Sequence, residues 1–156
     1  MTDKPSLTLR PLGEADRAAW EPHWQGYLAF YQTSVPAETT DITWSRLLDP
    51  AEPMHVIGAF GQGADGREML LGIVHYIFHR STWTPGNYCY LQDLFTAPEA
   101  RGQGVGRALI EAVYGKAKEA GASRVYWLTQ EGNATARALY DRVADHPGFT
   151  IYRKQM

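Results

Sequence analysis

One stretch restricts this chain more than any other. Residues 91–107, Leu-Gln-Asp-Leu-Phe-Thr-Ala-Pro-Glu-Ala-Arg-Gly-Gln-Gly-Val-Gly-Arg, run from an apolar strand through a glycine-punctuated turn into a helix. A helix starts with unpaired N–H groups and the positive end of a macrodipole, so an anion placed there gains several hydrogen bonds and a favourable field. Gly102, Gly104 and Gly106 remove side-chain bulk from that turn, and Arg101 and Arg107 flank it with fixed charge. The pattern predicts a turn that holds a phosphate; the plainer alternative is an ordinary strand-to-helix loop. Two nucleotide-fold readings fail on spacing. No Lys-Ser/Thr pair follows to make a Walker loop, and Gly104-Val-Gly106 is followed by Arg107, Ala108 and Leu109 where a dinucleotide fingerprint needs its third glycine.

Strand and helix patterns alternate around this turn, with no repeat, low-complexity tract or linker. Residues 6–10 read as a short strand. Trp20, Trp24, Tyr27, Leu28 and Tyr31 recur at helical spacing, and residues 43–48 form a second helix stopped by Asp49-Pro50. Residues 55–60 and 69–79 are apolar strands joined by the hairpin-like loop 61–66, and turn 83–87 leads into strand 88–96. Val105, Ala108, Leu109, Ala112, Val113, Ala117 and Ala120 share one helical face, which Gly121 ends. Strand 125–129 is apolar on both faces, as expected of a strand covered on two sides. Helix 134–143 then leads through His146-Pro-Gly148 to a last strand, 149–152.

Composition narrows the function classes. A chain of 156 residues can bury roughly 70% of its unfolded surface, enough for one core, and 1–156 reads as a single domain. A net charge of −2 with interspersed signs supplies no basic stripe for nucleic acid and suits a cationic amine weakly. No run approaches the ~18 apolar residues of a membrane span, and Lys4 and Pro5 stand where a signal peptide would carry apolar residues. A soluble, cytoplasmic protein is expected. The single Cys89 has no disulfide partner and reads as a small buried hydrophobe. His75 and His79 share a strand face about 13 Å apart, too far for one metal, so both read as core or rim residues. His23 and His55 are isolated, and no catalytic metal is expected.

Arg101-Gly102-Gln103-Gly104-Val105-Gly106 resembles the Arg/Gln-x-x-Gly-x-Gly/Ala pyrophosphate loop of the GNAT N-acetyltransferases. Residues 124–140 resemble that family's next strand, its Asn and the helix bearing its Tyr, ending in Gly148-Phe149. Leu7-Thr-Leu-Arg10 with Glu14-Ala-Asp16 is similar to its opening strand and first helix. Tyr-Leu-Gln-Asp-Leu-Phe and Val-Tyr-Trp-Leu-Thr are most like the histone and polyamine acetyltransferase branch. The resemblance implies an α/β (α+β) GNAT fold: a mixed, mostly antiparallel twisted sheet with helices on both faces, using acetyl-coenzyme A. It implies phosphate contacts from Arg101, Gly102, Gln103, Gly104, Val105, Gly106, Arg107 and Ala108, and backbone contacts from Leu94, Phe95 and Thr96. Asn133 would cap its helix and meet the pantetheine arm.

The implied reaction is acetyl transfer to a primary amine by direct attack in a ternary complex. An ammonium with a pKa of about 10.4 has no lone pair, so a carboxylate must bind it or relay its proton. Asp93 is the candidate; its other reading is an exposed strand Asp or a salt-bridge partner. Gln92 stands where polyamine acetyltransferases often carry Glu, and an amide supplies neither base nor counter-charge. Strand N–H groups near Leu94 and Phe95 would face the acetyl carbonyl. Tyr140, seven residues after Asn133, matches the family tyrosine that protonates the leaving thiolate. Tyr31, Gln92 and Asp93 are the candidate acceptor contacts, while the aromatic cluster Trp20, Trp24, Tyr27, Tyr31 and Trp44 reads as core, with some of its rings shaping the amine pocket. The acceptor would be a small-molecule amine, with a protein or peptide amine and a non-catalytic acyl-coenzyme A sensor as rivals. A homodimer fits the family's habit.

Overall fold

The apolar alternation through the middle of the chain folds into one five-stranded sheet whose spatial order follows the sequence: β1 (Thr8–Pro11), β2 (Met54–Gln62), β3 (Glu68–Arg80), β4 (Asn87–Thr96) and β5 (Val125–Tyr126). In this computed structural model residues 6–156 are described; Lys4 and Pro5, on which the signal-peptide expectation rests, lie outside them. The first three pairings are antiparallel and β4 pairs with β5 in parallel. Helices α1 (Arg17–Phe30) and α2 (Ala37–Leu48) cover one face, and α3 (Val105–Glu119) and α4 (Ala134–Val143) the other. The mixed, mostly antiparallel sheet with helices on both faces is the expected fold. No helix among the described residues is long and apolar enough to cross a membrane.

Each helix is held by a stripe that its sequence carries. Trp20, Trp24 and Leu28 recur every four residues on α1 and pack with Trp44 and Leu47 of α2 against Leu70 and Ile73. On the other face Leu109, Ile110 and Val113 of α3 meet Val74, Tyr76 and Leu91. Helix α2 begins at Ala37, earlier than residue 43, because Pro36 presets the entry and the buried Thr40 hydroxyl accepts from the Trp24 indole N–H at 3.2 Å. The turn into α1 is tied by Arg10, whose guanidinium grips Asp16 through two bonds of 2.9 and 3.1 Å. That grip holds the Asp16 carboxyl below the usual carboxylate range.

The break that matters most is in β4. His75 lies opposite Asp93 while Tyr76 lies opposite Leu91, so Gln92 is an extra, unpaired residue. Such a bulge bends its strand and shifts the alternation of faces by one. Cys89 and Leu91 point into the α3 core, and simple alternation would send Asp93 after them. The bulge instead turns Leu94 toward α3 and Phe95 toward the α1 side.

Two expectations for the end of the chain are corrected. The strand expected over 125–129 stops at Tyr126, because β4 bends away beyond the Tyr90–Tyr126 pair. Residues 149–152, expected as a last strand, have no ladder; Phe149 is 85% exposed and Tyr152 96%. A strand needs an edge to pair with, and the two residues of β5 offer too little of one.

Candidate functional site

The glycine turn has the geometry of an anion nest. Gly102 and Gly104 take φ of +78° and +82°, a region where a Cβ is strained, and Gly104 is the N-cap of α3. Among the described residues no N–H from 102 to 107 finds a protein acceptor; the first helical amide to do so is Ala108, which donates to the Gly104 carbonyl at 3.0 Å. Those free donors converge where the α3 dipole is positive. Arg101 is exposed and has no ion pair among the described residues, whereas Arg107 is drawn along α3 to Glu111 at 2.9 Å. The structure thus favours Arg101 over Arg107 as a free cation at the turn. Gln103 reaches back to the Glu99 carbonyl at 3.4 Å.

Between the turn and β5 the sheet is split. Beyond Tyr90 the edge of β4 loses its neighbour, so the stretch holding Leu94, Phe95 and Thr96 runs unpaired on that side. Gly106 sits at the mouth of the split, where an added Cβ would lie 3.6 Å from Leu139 and 3.8 Å from Thr96. The Thr129 hydroxyl, just past β5, is buried without a hydrogen-bond partner. A free strand edge, an orphaned hydroxyl and an anion nest in line fit a long phosphorylated ligand with an amide-bearing arm.

Asp93 stands on the α1 side of the split, in a cleft of phenols. Its charge raises the pKa of Tyr27, Tyr31 and Tyr90, after the larger effect of burial, which places the three phenols around it. The approach is made possible at Gly26, where an added Cβ would lie 2.7 Å from the Phe95 ring, so α1 seats closely on β4 and delivers Tyr27. Tyr31 closes α1: the next residue, Gln32, takes φ of +55°, and the Gln32 and Thr33 amides return to the carbonyls of Ala29 and Leu28. Gln92 is exposed on the bulge.

Tyr140 comes from the opposite face. Its ring meets Trp127 edge-on at 5.4 Å, burial raises its pKa and Tyr31 raises it further, so the two phenols share one cleft. The Tyr140 hydroxyl makes no hydrogen bond within the protein among the described residues. Asn133 caps α4, accepting from the Ala136 N–H at 3.4 Å.

Sequence reasoning missed part of this cleft. Tyr27 was expected in an aromatic core cluster, some of whose rings would shape the amine pocket, Tyr90 carried no expectation, and His75 was read as core or rim. His75 is indeed 3% exposed, but its Nδ1 lies 2.9 Å from Asp93 Oδ2. No motif marks these residues; only the strand register brings them together. Asp93 is therefore half-buried and paired, not an exposed strand residue. A separate cavity of about 870 Å³, lined by Pro22, His23, Phe30, Met69, Phe95 and Arg101 among others, lies between α1, the start of β3 and the segment that follows β4, and includes neither Asp93 nor Tyr140.

With this geometry in place, the kinship of the chain is informative. Residues 16–144 match the model of the acetyltransferase (GNAT) family. The D-amino-acid N-acetyltransferase HPA3 of Saccharomyces cerevisiae is 32% identical over 148 residues, covering 95% of this chain and 90% of the relative. The thialysine N-epsilon-acetyltransferase of Sus scrofa is 38% identical over 71 residues, 46% of this chain and 41% of the relative. Among solved structures, an aminoglycoside N-acetyltransferase, AAC(6')-Iy, in complex with CoA shares the fold at a TM-score of 0.80 and 14% identity, covering 99% of this chain and 98% of its own. The family match takes in both the nest at the start of α3 and the helix that carries Tyr140, and on that breadth the chain belongs to the GNAT family of acetyltransferases.

Proposed function

We infer that this enzyme moves an acetyl group from acetyl-coenzyme A to a primary amine of a small molecule, by direct attack in a ternary complex. The observation that carries the reading is Asp93: one carboxylate in a cleft of tyrosines, beside the unpaired edge of β4 and in line with the glycine nest. The coenzyme, when bound, supplies an activated acetyl group and a thiolate leaving group. The chain supplies the rest. The amides of residues 102–107, with Arg101, would hold the pyrophosphate. Free backbone groups near Leu94 and Phe95 would orient the arm and the acetyl carbonyl. Asp93 would hold the ammonium and accept or relay its proton, since only the neutral amine has a lone pair.

Tyr140 is suited to give its proton to the departing sulfur, because burial keeps its hydroxyl protonated at and above neutral pH. Direct transfer also agrees with Cys89, a fully buried thiol whose pKa burial pushes up to about 11. Such a thiol is no nucleophile at neutral pH. The named substrates of the two sequence relatives, D-amino acids and thialysine, share a primary amine, which supports a small acceptor.

Release of free coenzyme A thiol from acetyl-coenzyme A tests the reading, screened against D-amino acids, thialysine, polyamines, aminoglycosides and lysine peptides. Release stimulated by a small amine is expected. Stimulation by peptides alone would move the acceptor to protein amines, and coenzyme binding without any stimulated release would favour a sensor. Gly104→Val tests the nest: a β-branched side chain at φ +82° costs about 1–2 kcal/mol locally and sets a methyl among the free amides. Coenzyme affinity is expected to fall at least tenfold while the thermal transition shifts by only a few degrees. Unchanged affinity in the folded variant would remove the nest from the site.

A further inference from the structure

Behind the cleft, three side chains from three elements form a buried line. The Trp20 indole Nε1 lies 3.0 Å from His75 Nε2, and His75 Nδ1 lies 2.9 Å from Asp93 Oδ2. Trp20 is wholly buried and His75 is 3% exposed, while the Asp93 side chain is 14% exposed. An indole N–H only donates. His75 Nε2 must therefore present its lone pair, which leaves the ring proton on Nδ1, aimed at the carboxylate. The opposite tautomer would set N–H against N–H at Trp20 and lone pair against carboxylate at Asp93. An imidazolium would still oppose N–H to N–H at Trp20. One protonation state satisfies both contacts.

We propose that Trp20 and His75 are positioning residues for acetyl transfer: Trp20 keeps His75 Nε2 bare and the imidazole neutral, and His75 anchors Oδ2 of Asp93 so that Oδ1 is left for the acceptor amine among Tyr27, Tyr31 and Tyr90. The proposal rests on the reading of Asp93 as the carboxylate that receives the amine. The bulge at Gln92 supports it, because in an unbulged register His75 would face Gln92 across the β3–β4 ladder and Asp93 would follow Leu91 toward α3. Trp24, whose ring lies 5.4 Å from that of His75, helps to wall the imidazole from water, so the relay competes with no solvent hydrogen bond.

Two arms test it. Long-range ¹H–¹⁵N spectra of the whole protein read the His75 tautomer directly, without reference to activity. The expected signature is a proton on Nδ1 and a bare Nε2; in Trp20→Phe the Nδ1 proton stays aimed at Asp93, but Nε2, no longer faced by the indole N–H, is open to a second proton. A wild-type His75 protonated on Nε2, or on both nitrogens, overturns the proposal. The second arm compares His75→Asn with His75→Leu. Asn sets an amide nitrogen near the place of Nδ1 and can still donate to Asp93; Leu, of similar size, cannot. The value of kcat/KM for the amine is expected to fall about 10²-fold in His75→Leu and to recover largely in His75→Asn, with KM for the coenzyme unchanged in both. Equal activity of the two variants, or wild-type activity in His75→Leu, overturns the proposal, since packing alone would then account for the residue. Should His75→Leu not fold, the wild-type and Trp20→Phe spectra decide. Failure of the Asp93 reading looks different: wild-type turnover in Asp93→Asn with the His75 tautomer intact.

Discussion

Tyr140→Phe is expected to slow amine-dependent release of coenzyme A thiol by about 10²–10⁴-fold, the usual worth of a positioned general acid. The variant removes one oxygen and nothing else. The ring keeps its edge contact with Trp127, and the missing hydroxyl had no partner within the protein, so stability should stay within about 0.5 kcal/mol of wild type. Coenzyme binding should persist. The pH profile carries a second signature. Burial raises the Tyr140 pKa above its ordinary value of about 10, so the proton is present at lower pH and is lost as the pH climbs through the raised value. The wild-type rate should fall along an alkaline limb above pH 10, and that limb should vanish in the Phe variant. Wild-type turnover in Tyr140→Phe would take the residue out of the chemistry and return it to the core.

The second large effect is expected from Asp93→Asn. The amide has the carboxylate's shape and its oxygen can still accept from His75 Nδ1–H, so the relay and the fold should survive. What disappears is the charge that draws a cation and the basicity that accepts a proton. We expect kcat/KM for the amine to drop about 10²–10⁴-fold with coenzyme affinity unaltered. The split between constants assigns the role: a loss concentrated in the amine KM marks binding of the ammonium, and a loss concentrated in kcat marks proton transfer. Unchanged kinetics would remove Asp93 from the site and leave it a hydrogen-bond partner of His75.

Where a function lives in a continuous run of chain, this sequence is readable. The glycine nest needs only residues 102–107 and the start of one helix, so its spacing announces it, and the free amides found there match. Asn133 and Tyr140 are likewise on one helix, separated by a fixed number of residues. The amphipathic stripes of α1 and α3 were legible because helical periodicity is local. Arg107 shows the limit even there: its neighbour Glu111, one turn on, takes the charge that the sequence offers to a phosphate.

The tyrosine cleft was legible only in part, with Tyr31, Asp93 and Tyr140 marked by the sequence and Tyr27, His75 and Tyr90 not, for a different reason. Tyr27, Tyr31, His75, Tyr90, Asp93 and Tyr140 come from four elements, and which of them meet depends on a strand register displaced by one residue at Gln92 and on a helix seated closely at Gly26. Neither event has a local signature, because a bulge is decided by which faces can be buried on both sides of the sheet at once. The missing last strand is a related case: residues 149–152 alternate as a strand should, but pairing is a property of two segments and β5 offers too short an edge. By itself, then, the sequence determined the family, the alternation of elements, the glycine turn with its free amides and the tyrosine helix, all set by contacts within a few turns of chain. Only the tertiary structure decided which side of the sheet Asp93 faces, that His75 and Trp20 stand behind it, and which phenols surround it, because those follow from register and packing between segments far apart in the chain.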